Sequence, residues 1–241
     1  MKVIVNGAAG HMGRILTNII ENTEDMEIAE LADVSAPAGM APLAECNAEA
    51  DIVIDFSHHL GTRDLMDYCV SRQLPVIVAT TGQTEEEHAM IVEAAHQIPV
   101  FHSANMSVGV ALVGKIAQEV TRAFGGCDIE IVETHHNRKV DAPSGTALLL
   151  ARKIQEVRPE LTVNCGRSGH AKREPNEIGI QAVRRGNVVG THEIMFGTNN
   201  QTITIQHEAH DRALFADGAV DVARWLVNQP AGFYTMDDYI G

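Results

Sequence analysis

Short apolar, β-branched runs alternate with stretches of helical periodicity over the first hundred residues. Lys2-Val-Ile-Val-Asn6 ends in Gly7, and apolar positions then recur at Met12, Ile15, Leu16, Ile19 and Ile20, the spacing of one helix face. A second run, Ile28-Ala-Glu-Leu-Ala32, stops at Asp33. The stretch 34–49 carries two prolines and a glycine and predicts a loop with one weak turn of helix. Asp51-Ile-Val-Ile-Asp55 is a third strand, apolar enough to be covered on both faces. A helix over Thr62–Arg72 and a fourth strand, Pro75–Ala79, lead to Thr80-Thr81-Gly82. Thr84 with Glu87 three residues on is a capping-box pattern that opens another helix, and Ile98–Phe101 is a fifth strand. This rhythm predicts a parallel, doubly wound sheet.

From about Met106 the rhythm changes. A long helix, Val108–Phe124, precedes a strand at Ile129–Glu133, and a helix at Thr146–Val157 follows. Glu177–Arg184, Val188–Phe196 and Gln201–His207 read as consecutive antiparallel strands joined by Gly/Asn turns, and Arg212–Asn228 as a final helix with Trp225 in the core. The fold class expected is α/β: a Rossmann-like dinucleotide-binding domain plus an α+β domain with an open mixed sheet. One face of that sheet is free to bury itself against another copy.

Composition narrows the function. A net charge of −14, from 18 basic and 32 acidic residues, and 4% aromatics argue against nucleic-acid and anionic-membrane partners. Any anionic ligand is therefore held by a local group of donors. Cys46, Cys69, Cys127 and Cys165 share no C-x-x-C spacing and read as reduced, partly buried thiols, so no metal site is assigned. The chain starts directly on a strand pattern, with no signal peptide and no apolar run long enough to span a bilayer, which points to the cytoplasm.

Two segments carry the chemistry. Gly7-Ala8-Ala9-Gly10-His11-Met12-Gly13 follows a strand and opens a helix, and Asp33 lies twenty residues beyond Gly13 at the end of the next strand. Glycines let the backbone approach a pyrophosphate, the helix N-terminus faces its charge, and the acid accepts from ribose hydroxyls. Asp33 followed by Val34 favours NADH, with NADPH still possible, because a 2′-phosphate would face a carboxylate; Arg14 is the one nearby group that could reach over. The second segment places His135, His136, Lys139, Ser144 and Thr146 within twelve residues, ahead of a helix N-terminus. That combination suits an anionic ligand and proton transfer. A metal is the competing reading, but adjacent histidines chelate poorly and no thiolate joins them. Arg184-Arg185 and the basic loop Gly166–Arg173 either hold carboxylates or lie at the surface.

The chain resembles the dihydrodipicolinate reductase family almost end to end. The resemblance rests on Gly7–Gly13, Asp55-Phe-Ser57, Thr80-Thr81-Gly82, Ser103-Ala-Asn105-Met-Ser107-Val-Gly109 and above all His135-His136-x-x-Lys139-x-Asp-Ala-Pro-Ser144-Gly145-Thr146. It implies reduction of a small cyclic dicarboxylate by NAD(P)H in the diaminopimelate and lysine pathway, by a homotetramer paired through its substrate domains. His135 is then the general acid, Lys139 its catalytic partner, and His136, Lys139, Ser144, Gly145 and Thr146 hold the dicarboxylate. The glycine loop, Asp33, Phe56, Ser57, Ala79, Thr80, Thr81, Gly82, Ser103, Ala104, Asn105 and Met106 line the cofactor. Residues 1–106 and 214–241 are expected to form the dinucleotide domain and 107–213 the substrate and tetramerisation domain. Many relatives carry a basic residue where Val34 stands, and the connection between Asp33 and Asp51 is shorter than in longer members. Two rival readings are another Rossmann oxidoreductase on an amino or keto acid, such as an aspartate-dehydrogenase-like enzyme, and a non-catalytic NADH sensor.

Overall fold

The computed structural model describes the whole chain, Met1–Gly241, whose backbone falls into two units: Met1–Ser107 with Arg212–Gly241, and Val108–Asp211. The first begins with β1 (Lys2–Asn6), α1 (His11–Glu21), β2 (Glu27–Ala32), β3 (Ile52–Asp55), α2 (Thr62–Arg72), β4 (Val76–Val78), α3 (Glu85–Ala94) and β5 (Pro99–His102). The second comprises α4 (Val108–Ala123), β6 (Asp128–His135), α5 (Gly145–Gln155), β7 (Thr162–Cys165), β8 (Glu177–Arg184), β9 (Gly190–Gly197) and β10 (Thr202–Ala209). The chain then returns to the first unit as α6 (Ala213–Leu226), β11 (Gly232–Tyr234) and α7 (Met236–Ile240).

In the first unit the strand order is β11-β5-β4-β3-β1-β2, with every pair parallel. β1, β3 and β4 are buried on both faces, which is why they read as unbroken apolar runs. The order reverses between β1 and β3, so the loops leaving their C-terminal ends diverge there, the place where open α/β sheets bind ligands. The connection from β2 to β3 holds a single 3-10 turn, Leu43–Glu45, and no α-helix. Leu43 and Cys46 cover the sheet in its place, and Tyr68 and Arg72 of α2 both donate to the Cys46 carbonyl. The capping box at Thr84 and Glu87 forms as its spacing predicts.

Two expectations need correction here. The helix holding Trp225 is not the last element: β11 and α7 follow, each too short to show a period. Trp225 is half-buried rather than in the core, with its ring edge-on to Phe101, Tyr234 and Tyr239.

In the second unit the order is β10-β9-β6-β8-β7; β8 runs parallel to β6 and β7, while β9 is antiparallel to β6 and β10. The sheet is mixed, but β8 and β9 are not neighbours, because β6 lies between them. Alternation identifies strands without naming partners. The turn Arg185-Gly186-Asn187 binds the end of β6 through Arg185 N–H to the His135 carbonyl and Asn137 N–H to the Gly186 carbonyl. α4 and α5 cover one face and share an apolar core with Ile129, Ile131, Ile178, Ile180, Ile194 and Phe196. The opposite face is only half-covered, and Val183 on it is exposed.

Candidate active site

The inward stripe of the second sheet changes character toward one end. On β6 it runs Ile129, Ile131, Glu133, His135, and on the facing β9 it runs Phe196, Ile194, His192, Gly190. Register pairs Ile129 with Phe196, Ile131 with Ile194 and Glu133 with His192. On the other side Ile129 and Ile131 pair with Ile178 and Ile180, then Glu133 with Ala182 and His135 with Arg184. Two apolar rows thus give way to a polar one at the C-terminal end of β6. β6 extends through His135, so this histidine sits on regular strand facing the covered side, not in an irregular segment beyond it. Strand pairing with Arg184 fixes that backbone.

Glu133 is fully buried and organises the polar row. Its carboxylate accepts from His135 Nδ1 at 2.6 Å, from the Ser144 amide at 3.0 Å, and from Arg184 Nη1 and Nη2 at 2.7 Å each. Burial opposes its ionisation, but Arg184, His135 and the Ser144 amide outweigh it and hold the carboxyl below the ordinary glutamate range. The Ser144 hydroxyl caps α5 by accepting from the Ala147 amide and lies 3.0 Å from His192 Nε2. The ring of His192 stands edge-on to that of His135, with centroids 5.2 Å apart. Burial, aided by His135, pushes His192 down to about 4, so it is neutral at pH 7.

Past the strand, His136 opens a turn that Lys139 N–H closes onto its carbonyl. Lys139 Nζ lies 2.9 Å from Asp141 Oδ1. Lys139 and the Gly145 amide hold the Asp141 carboxyl below its usual range. The ammonium and the first turn of α5, with Gly145 exposed and Thr146 half-buried, therefore already converge on one carboxylate. Such a pair of donors is suited to anions. Ser144, by contrast, is buried, and its polar atoms are spent on the cap, Glu133 and His192.

The nucleotide-binding candidates lie in the first unit. Gly7 has φ +79°, and a Cβ there would come within 2.5 Å of the Phe56 carbonyl oxygen; one at Gly13 would overlap the Gly7 carbonyl. The glycines thus let the β1–α1 turn touch both the loop after β3 and its own helix. No side chain caps α1, whose N-cap is Gly10. Gly7, Ala8 and Gly13 are buried, Ala9 and Met12 half-buried, and Gly10 and His11 exposed. The buried Asp33 accepts from the Ala9 amide and from the Ser35 amide and hydroxyl. These bonds outweigh desolvation and keep Asp33 below the usual range, while Val34 beside it is 90% exposed. Phe56 and Ser57 follow β3; Ala79, Thr80, Thr81 and Gly82 follow β4; Ser103, Ala104, Asn105 and Met106 follow β5. All three loops leave the C-terminal edge of the sheet, although Ala79, Thr80 and Met106 are buried. Beneath them Asp55 accepts from Asn6 Nδ2 at 2.7 Å and the Ser57 hydroxyl at 2.5 Å. Burial raises its carboxyl despite these bonds.

Residues 1–106 match the family described as dihydrodipicolinate reductase, N-terminus, and residues 109–240 its C-terminus. The chain belongs to the dihydrodipicolinate reductase family. It is similar to the 4-hydroxy-tetrahydrodipicolinate reductase of Caldanaerobacter subterraneus subsp. tengcongensis, with 41% identity covering 100% of this chain and 98% of the relative. It is also similar to that of Clostridium tetani, with 40% identity over 98% of this chain and 96% of the relative. Among solved structures, the dipicolinate-bound dihydrodipicolinate reductase from Paenisporosarcina sp. TG-14 shares the fold with a TM-score of 0.82, 23% identity, and coverage of 100% and 99% of the two chains.

Of the two readings the sequence leaves for Arg184, the structure shows it holding a carboxylate, that of Glu133, whereas the sequence assigns no role to Glu133, Gly190, His192 or Asn6. Reading the two-residue period through Ile129–His135 and Gly190–Phe196 puts Glu133, His135 and His192 on the inward face of their strands. Nothing local in the sequence reveals that Arg184 is the partner of Glu133, since that pairing depends on which strand lies beside β6.

Proposed function

We propose that the protein reduces 4-hydroxy-tetrahydrodipicolinate to tetrahydrodipicolinate with a nicotinamide dinucleotide, in the diaminopimelate and lysine pathway. The observation that carries the residue roles is the His135 imidazole held by buried Glu133, in the same segment as a lysine and a helix N-terminus already gathered on a carboxylate.

The first unit suits a dinucleotide. The glycine turn admits close backbone approach, α1 has no side-chain cap to compete for its first-turn amides, and Asp33 is an ionised acceptor at the end of β2. Asp33 followed by the apolar Val34 favours NADH over NADPH, because a 2′-phosphate would meet negative charge where a basic residue could otherwise follow in the chain. When bound, the nicotinamide supplies the hydride that adds to an electron-poor carbon of the conjugated cyclic imine. Lys139, with His136, Gly145 and Thr146, holds the substrate carboxylates and offsets the negative charge that develops on the ring. His135 then delivers the proton that quenches it. The half-covered sheet face, with Val183 exposed on it, favours pairing of copies into the homotetramer. The cytoplasm, where the reduced cofactor and the dicarboxylate are made, is the expected site of action.

The test generates the substrate in situ from pyruvate and aspartate semialdehyde with the preceding synthase and follows near-ultraviolet oxidation of NADH and NADPH. Oxidation that requires the synthase and is faster with NADH is expected. Folded protein that binds NADH but oxidises it with neither condition would return the rival readings.

A further inference from the structure

We infer that Glu133 is a positioning residue that makes Nε2 the proton-donating atom of His135, and that Gly190 keeps the flank of that nitrogen open. The inference rests on His135 acting as the acid.

The argument is an accounting of lone pairs. Glu133 has no solvent exposure and four donors: Ser144 N–H and Arg184 Nη2 on Oε1, Arg184 Nη1 and His135 Nδ1 on Oε2. A carboxylate gripped on both oxygens by a guanidinium stays ionised, and an ionised carboxylate only accepts. His135 Nδ1 must therefore carry a hydrogen whether the ring is neutral or charged. The transferable proton is left on Nε2: its N–H bond breaks, the electron pair stays on Nε2, the proton goes to the substrate, and bulk water restores it. Arg184 matches the charge of Glu133, so the carboxylate aims the ring without a full unbalanced charge holding the imidazolium.

Gly190 supplies the second observation. It occupies the inward stripe of β9, and a Cβ there would stand 3.0 Å from His135 Nε2 and 3.4 Å from Cδ2. Any other residue would press on the donating edge of the ring. His192, on the same stripe, is neutral and places no like charge beside His135.

The experiment compares wild type, Glu133→Gln, Gly190→Ala and His135→Gln by steady-state kinetics and by NMR of protein carrying ring-labelled histidine. For Glu133→Gln, kcat is expected to fall on the order of 10- to 1,000-fold, as when other histidine-orienting groups are removed. KM for NADH should stay within about twofold, because the cofactor groups lie in the other unit, and the high-pH limb of kcat should move to lower pH because Arg184 is left uncompensated. In wild type the His135 signal should show Nδ1 protonated on both sides of the titration, with Nε2 losing the proton. Gly190→Ala should lower kcat while keeping that tautomer.

A wild-type neutral ring protonated at Nε2 overturns the inference, and so does Glu133→Gln with unaltered kcat and pH profile. If Glu133→Gln does not fold, the wild-type tautomer and Gly190→Ala decide. If His135→Gln keeps full turnover, the acid role itself fails and the inference with it. If His135→Gln is impaired and Glu133→Gln is not, only the positioning role fails.

Discussion

Arg184→Met tests the electrostatic centre of the second unit. The substitution keeps an apolar stem but is shorter, and it removes both guanidinium bonds, each 2.7 Å, from a carboxylate with 0% exposure, along with those to the Val183 and Asp141 carbonyls. Two donors remain, Ser144 N–H and His135 Nδ1. Removing one partner of a buried ion pair costs about 3–5 kcal/mol, and the 18% exposure of the Arg184 side chain, which lets water reach the gap, points to about 3 kcal/mol. The assay is urea unfolding followed by far-ultraviolet circular dichroism. Fluorescence would mislead, because the single tryptophan, Trp225, belongs to the other unit.

The pH dependence has a definite sign. A carboxyl depressed in the folded state contributes stability that is complete above its unfolded value, about 4.3, and lost as pH falls through the folded value. Glu133 is depressed with Arg184 as its strongest favourable partner, so the deficit of Arg184→Met is greatest near neutral pH and shrinks in acid. The double variant Glu133→Gln/Arg184→Met should recover part of the loss, since no buried charge is then stranded. A deficit below about 1 kcal/mol at pH 7, the range of exposed pairs, or one that does not vary with pH, would refute the reasoning.

Three further outcomes are expected. His192 is pushed from 6.5 down to about 4, so between those values the unfolded chain binds a proton the folded one does not; stability should fall as pH drops through that window, and His192→Gln should flatten the slope in urea titrations. Gly7→Ala forces a side chain onto φ +79° and against the Phe56 carbonyl, costing about 1–3 kcal/mol in strain and weakening NADH binding in fluorescence titration; wild-type affinity would contradict the role given to the turn. Val34→Arg should raise kcat/KM with NADPH relative to NADH, and an unchanged ratio would mean that a 2′-phosphate is read elsewhere.

The first unit was legible because its strands are buried on both faces. Apolar runs such as Lys2–Asn6 and Ile52–Asp55, punctuated by Gly7 and the Thr84 cap, state their own boundaries. Four of the five strands of the second unit were legible, but not the four-residue β7 and not the sheet they form. Its strands alternate, which fixes which side faces in, yet the insertion of β6 between β8 and β9 follows from long-range pairing of isoleucine rows that many registers could satisfy. The same limit explains the site. His135 and Lys139 stand in one segment and announce themselves, whereas Arg184 meets Glu133 across 51 residues and Ser144 meets His192 across 48. β11 and α7 span three and five residues, too few for a period to emerge.

The most direct test of the account is single-turnover reduction of synthase-generated substrate by wild type and His135→Gln, each saturated with NADH. The account predicts reduction slowed on the order of 100- to 10,000-fold in the variant, as for loss of a general acid, with NADH affinity unchanged. Reduction at the wild-type rate in a folded, NADH-binding His135→Gln would contradict it.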